Sequence, residues 1–118
     1  MVGKLDLMGG RVTLINETNG AATTYYGDPF PVEGSVSGDI LLVVEALFGS
    51  TGKSLQVTLE HSNDLVNWET LATYTAATGA VTENEAISGM YAYMRAKCEL
   101  DGTETFAVLT LKGATRAA

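Results

Sequence analysis

Residues 53–71, KSLQVTLEHSNDLVNWETL, decide the fold. Leu55, Val57, Leu59 and His61 share one parity, and Ser54, Gln56, Thr58 and Glu60 share the other. Alternation of period two is the pattern of a strand with one face on a core. Ser62-Asn63-Asp64 then breaks the alternation with residues whose side chains bond nearby backbone and so favour turns. Trp68, the only tryptophan, follows at once on the returning strand, which runs on through Leu71 and Tyr74. The unit reads as strand, polar turn and return strand, with the tryptophan as its core aromatic.

A second clear alternation lies in residues 90–100. Met90, Ala92, Met94, Ala96, Cys98 and Leu100 form one row, and Tyr91, Tyr93, Arg95, Lys97 and Glu99 the other. Asp101-Gly102 is a favoured hairpin turn, and residues 103–112 form the last predicted strand. Residues 39–48, DILLVVEALF, are apolar on both parities, which predicts a strand covered on both faces; a short buried helix is the alternative. Gly49-Ser50-Thr51-Gly52 reads as a hairpin-type connection to the next strand. Residues 81–87 form a weaker strand with Glu83 and Glu85 on one parity, expected to face solvent and to discourage edge pairing.

Residues 1–37 differ in character. Residues 4–8 and 11–15 are short β-prone pieces around Gly9-Gly10, Asn19-Gly20 is a turn signal, and residues 23–26 suit another short strand. Pro29 and Pro31 then prevent regular pairing. The expected organisation is one domain: an N-terminal arm with edge strands over 1–37, a sandwich core over 38–113, and a flexible tail over 114–118. The arm is either an ordinary meander at the sandwich edge or a segment reaching a neighbouring subunit. About seven to nine strands, spaced roughly 8–12 residues apart with turn signals between them, predict an all-β fold, an antiparallel β-sandwich or jelly roll. A closed barrel is the alternative.

Composition narrows the function classes. The 118 residues carry 7 basic and 14 acidic side chains, a net charge of −7. The basic residues are scattered, which argues against a nucleic-acid partner, since phosphate binding needs clustered Lys and Arg. The longest aliphatic run, residues 40–44, is far short of a membrane span. One cysteine, Cys98, allows no internal disulfide and reads as a small buried hydrophobe. No signal peptide is evident at the start of the sequence, so the expected location is the cytoplasm, or a larger assembly built there.

No residue pattern announces catalysis. His61 has no companion His or Cys for a metal and no nucleophile at useful spacing, so it reads as structural. Asn63 and Asp64 read as turn formers and not calcium ligands. The chain is therefore expected not to be an enzyme, with no cofactor and no metal. The Tyr91, Tyr93, Arg95 and Lys97 row is of more interest, because tyrosine and arginine are enriched at interfaces. It could equally belong to core or edge packing.

His61-Ser62-Asn63-Asp64 with Trp68, the run Gly89 to Ala96, and the final strand through Gly113 resemble small β-sandwich virion proteins of tailed bacteriophages. The Ser-x-Asp turn before a Trp and the later Tyr-x-Arg strand also recur in discoidin-type carbohydrate-binding sandwiches. The resemblance spans residues 40–113. It implies a virion location and a capsid decoration protein that binds the assembled shell, with the major capsid protein or another virion protein as partner and a homo-oligomer, a trimer favoured. Two alternatives remain: a carbohydrate-binding module, or a tail or fibre component. The candidate interface or glycan-contact residues are Tyr25, Tyr26, Phe30, Tyr91, Tyr93 and Arg95. No nucleic acid and no membrane are expected as partners.

Overall fold

Alternating sequence becomes alternating burial. The computed structural model describes residues 8–16, 22–32, 34–49 and 52–117, with nine strands and no helix among them. The strands are β1 (Met8–Asn16), β2 (Thr23–Tyr26), β3 (Phe30–Pro31), β4 (Ser35–Phe48), β5 (Ser54–Ser62), β6 (Glu69–Thr73), β7 (Val81–Ser88), β8 (Tyr93–Asp101) and β9 (Thr105–Ala117). They build two antiparallel sheets, β1-β9-β4-β7 and β2-β8-β5-β6, the second extended by β3 pairing with β8. The pairs are nested: β1 with β9, β2 with β8, β4 with β7, β5 with β6. The chain is thus one long antiparallel ribbon rolled into a two-sheet sandwich, the jelly-roll architecture.

The core lies between the sheets. Leu55, Val57 and Leu59 of β5 and Met94, Ala96, Cys98 and Leu100 of β8 face Ile40, Leu42 and Val44 of β4 and Ala107, Leu109 and Leu111 of β9. Tyr74, just past β6, is also fully buried, and its hydroxyl donates to the Ile40 carbonyl at 2.6 Å, tying one sheet to the other. Asn16 is the main buried polar group. Its amide donates to the carbonyls of Leu100 and Gly102 at 3.0 and 3.1 Å, and its side-chain oxygen accepts from Thr23 at 2.7 Å. Neither expected hairpin forms, because β4 and β5, and β8 and β9, lie in different sheets; the Asp101-Gly102 turn instead carries the chain from one sheet to the other, with Gly102 at φ +106, a conformation that a side chain disfavours.

Four further expectations need correcting. The core aromatic of the β5–β6 unit is Tyr74; Trp68 is only half-buried and lies on the outer surface, because it precedes β6 where no opposing layer exists. β4 is covered on one face only: Ile40, Leu42 and Val44 are buried, while Leu41 and Val43 are half-exposed on the outer side. Glu83 and Glu85 share the inward parity of Ile87. Both are half-buried at the sandwich edge, where Glu83 accepts from the Thr75 amide, so they are not a solvent-facing row. Inward charges on an edge strand do oppose edge-to-edge pairing. Residues 114–117 continue β9, paired with β4 as far back as Ser35, and do not form a free tail.

Within residues 1–37, β1 closes the edge of one sheet, and β2 and β3 close the edge of the other. The Asn19-Gly20 turn, most of the strand expected over 4–8, and part of the 49–52 connection lie outside the described residues.

Candidate functional site

The outward row of β8 builds the first candidate surface. Arg95 stands opposite Glu60 of β5, and its Nε donates to Glu60 Oε1 at 2.8 Å. Tyr26, opposite Lys97 on β2, brings its ring centre within 4.2 Å of the Arg95 guanidinium carbon. Trp68, arriving from the β6 side, stands at the same 4.2 Å. The guanidinium is therefore flanked by two aromatic rings, which attract it through their quadrupoles. This ladder staples the β5–β6 loop and β2 onto β8. It also covers one face of each ring.

Next to the ladder, the Tyr91 ring stacks on the His61 imidazole, with centres 3.9 Å apart and planes 2° apart. The Tyr91 backbone N–H donates to His61 Nδ1 at 3.2 Å. An imidazole that accepts at Nδ1 is neutral, and burial holds the His61 pKa below its usual value against the opposing charge of Glu69.

A shallow recess of about 180 Å³ opens beside it, lined by Asn63, Asp64, Asn67, Glu69 and Tyr91. The Asp64 oxygens are engaged within the turn, and Asn63 Oδ1 accepts from the Ala92 amide at 3.0 Å. Asp64 Oδ1 accepts from Ser62 Oγ and from the Val66 and Asn67 amides, and Oδ2 accepts from Asn67 Nδ2. These bonds hold the Asp64 carboxyl well below the usual carboxylate range. Among the described residues no group of three or more His, Cys, Asp or Glu side chains could hold a metal.

The six candidate residues thus divide. Tyr26, Tyr91, Tyr93 and Arg95 are brought to one side of the molecule, Tyr93 half-buried at the start of β8. Tyr25 points inward against the core, and its hydroxyl donates to the Ile15 carbonyl. Phe30 also packs on the core. The two belong to the fold, because β2 and β3 present these side chains to the inside of their sheet.

Sequence reasoning missed the second surface, on the outer side of the β1-β9-β4-β7 sheet. Ile15, Phe106 and Phe48 stand in one rung across three neighbouring strands. They are 38%, 40% and 56% exposed, and the two phenylalanine rings are 5.1 Å apart. The next rungs are Thr13, Val108 and Ala46, and then Arg11, Thr110 and Val43. A recess of about 590 Å³ beside the apolar rung is lined by Thr13, Ile15, Glu104, Thr105 and Phe106. A second, of about 370 Å³, is lined by Arg11, Val43, Glu45, Thr110 and Lys112. The available signal was the apolar content of both parities in residues 39–48 and of Phe106 and Val108 beside Ala107 and Leu109.

No family model and no curated protein matches the chain. Among solved structures, it is similar to the CBM22-1-GH10 modules of Clostridium thermocellum endo-1,4-beta-D-xylanase 10B complexed with xylohexaose. That match has 14% identity and a TM-score of 0.49, and covers 98% of this chain but 29% of that one. It is also similar to a pectin binding carbohydrate binding module, with 15% identity and a TM-score of 0.38, covering 92% of this chain and 72% of that one.

Proposed function

We propose that the chain is a non-catalytic structural protein of a virion, an auxiliary capsid protein that docks on the assembled shell. The observation that supports this reading is the outward apolar rung Ile15–Phe106–Phe48 on the face of a strongly acidic molecule. Contiguous apolar surface of this kind marks protein–protein contact, and the cost of leaving it in water is removed when a partner covers it. Binding to the assembled shell and not to free subunits would stabilise the shell by mass action. The test is co-sedimentation with empty phage heads and, separately, with unassembled major capsid protein. Binding to heads alone, lost in Phe106→Asp, is the expected result; equal recovery with neither would remove the reading.

A second reading, glycan binding, is favoured by the outward ring faces of Tyr26 and Tyr91, which are exposed on the opposite sheet. Aromatic faces with polar neighbours suit sugar rings. Its strength is reduced by Arg95 and His61, which already occupy one face of each ring. A soluble-glycan array with wild type and Tyr91→Ala separates the two readings: saturable binding that Tyr91→Ala abolishes, without head binding, selects this one.

A further inference from the structure

We propose that the outer face of the β1-β9-β4-β7 sheet pairs with the same face of a second copy of this chain, about a two-fold axis level with Val108. The inference rests on reading that face as a protein-docking surface: the second copy covers it in the free protein, and docking on the shell would displace that copy.

Charge gives the first argument. The chain carries −7 overall, and two copies repel through most of their surface. This face is balanced, with Arg11, Lys112 and Arg116 against Asp39, Glu45 and Glu104. Four of the six neutralise one another within the chain, Arg11 with Glu45 at 2.9 Å and Arg116 with Asp39 at 3.0 Å. The remaining two, Glu104 and Lys112, form no ion pair among the described residues. Lys112 ends the outward row Phe106, Val108, Thr110, Lys112 of β9, and Glu104, in the turn just before β9, lies at the other end, lining the recess beside Ile15 and Phe106.

Symmetry makes that polarity self-complementary. An axis lying in the interface, at right angles to the strands and level with Val108, reverses the strand direction and keeps the strand order. Glu104 of one copy then faces Lys112 of the other, twice, as an isologous contact requires. The rung Ile15–Phe106–Phe48 falls on the partner's rung of Arg11, Thr110 and Val43, which borders the recess of about 370 Å³. Two aromatic rings thus meet a hollow edged by an apolar side chain and the stem of an arginine, a good cation–π partner.

The area suits a weak, concentration-dependent dimer. Three strands, β1, β9 and β4, about 4.8 Å apart, over the eight residue steps from Glu104 to Lys112 at about 3.4 Å each, give a footprint of about 400 Å² before side-chain relief is counted. That is about half of the roughly 800 Å² of accessible surface per partner in a standard interface.

The experiment is sedimentation equilibrium of the full chain over a concentration series, with Glu104→Lys, Lys112→Glu and the double reversal. Both positions are exposed, so the variants retain the fold, and circular dichroism checks that they do. The expected result is a monomer–dimer equilibrium weakened about tenfold or more by each single reversal and restored to within about threefold of wild type in the double. A wild-type monomer or trimer, or a dimer indifferent to the single reversals, overturns the pairing. If the wild type is monomeric yet Phe106→Asp abolishes head binding, the pairing falls and the docking reading stands. If the dimer forms and heads are ignored, the pairing stands and the virion reading falls.

Discussion

His61 shows what one residue contributes when its protonation state is fixed by a partner. The only histidine is buried, stacks flat on Tyr91 and accepts the Tyr91 N–H at Nδ1, so folding favours the neutral ring. Its folded-state pKa lies below the 6.5 of the free side chain, chiefly because burial disfavours the charged form. The unfolded chain therefore binds more protons than the folded chain once pH drops below about 6.5, so stability falls with pH there. The contribution is complete above that value and is lost on the acid side, down to the folded-state pKa. Asp64 and Asp39 act further down: both carboxyls are held below 3.8 in the fold, so their contributions are present above that value and fade only at still lower pH. Urea midpoints between pH 8 and pH 5 should decline below about 6.5 in wild type, and His61→Gln should flatten that decline. A wild-type profile that is flat across the window would show that the buried ring accepts a proton at no cost.

At the scale of elements, the sheet ladder is less informative than what sits on it. β5 and β8 were readable in full, because each has a core on one face only and the chain alternates accordingly: Leu55, Val57 and Leu59 against Gln56, Thr58 and Glu60. β4 and β9 were harder to read. Their outer parity carries Leu41, Val43, Phe106 and Val108, and apolar residues on an uncovered face look in sequence like residues under a second layer. Trp68 was misplaced for a related reason, since sequence cannot tell a ring packed under a sheet from one packed over an arginine on its outer side. That ladder makes a prediction of its own. Arg95→Met keeps the stem and removes the charge, and Trp68→Leu removes the ring; if the flanked guanidinium stabilises the β5–β6 loop, a double-mutant cycle on unfolding free energy should return a coupling of about 1 kcal/mol. Coupling indistinguishable from zero would mean that the 4.2 Å approach is proximity without energy.

For the whole molecule, the nested pairing governs behaviour. The first and last strands pair with each other, and most contacts join residues distant in sequence, so no half of the ribbon buries a core alone. This topology was legible only as a class, because strand spacing indicates a sandwich without saying which strands become neighbours; the nested order comes from the register of β1 on β9 and β2 on β8. A fold closed in this way should open as a unit, and Cys98 is placed to report it. The thiol lies in the middle of β8, fully buried between the sheets, and burial pushes its pKa far above that of a free thiol. A disulfide reagent near pH 8, where a free thiol of pKa roughly 8.5 reacts readily, should leave Cys98 untouched in native buffer. In urea, labelling should rise with the same midpoint as the loss of far-ultraviolet circular dichroism, as a two-state sandwich requires. Rapid labelling with the dichroism intact would mean that β8 separates from its neighbours locally. The ribbon would then be held by its two sheets separately and not by the core between them.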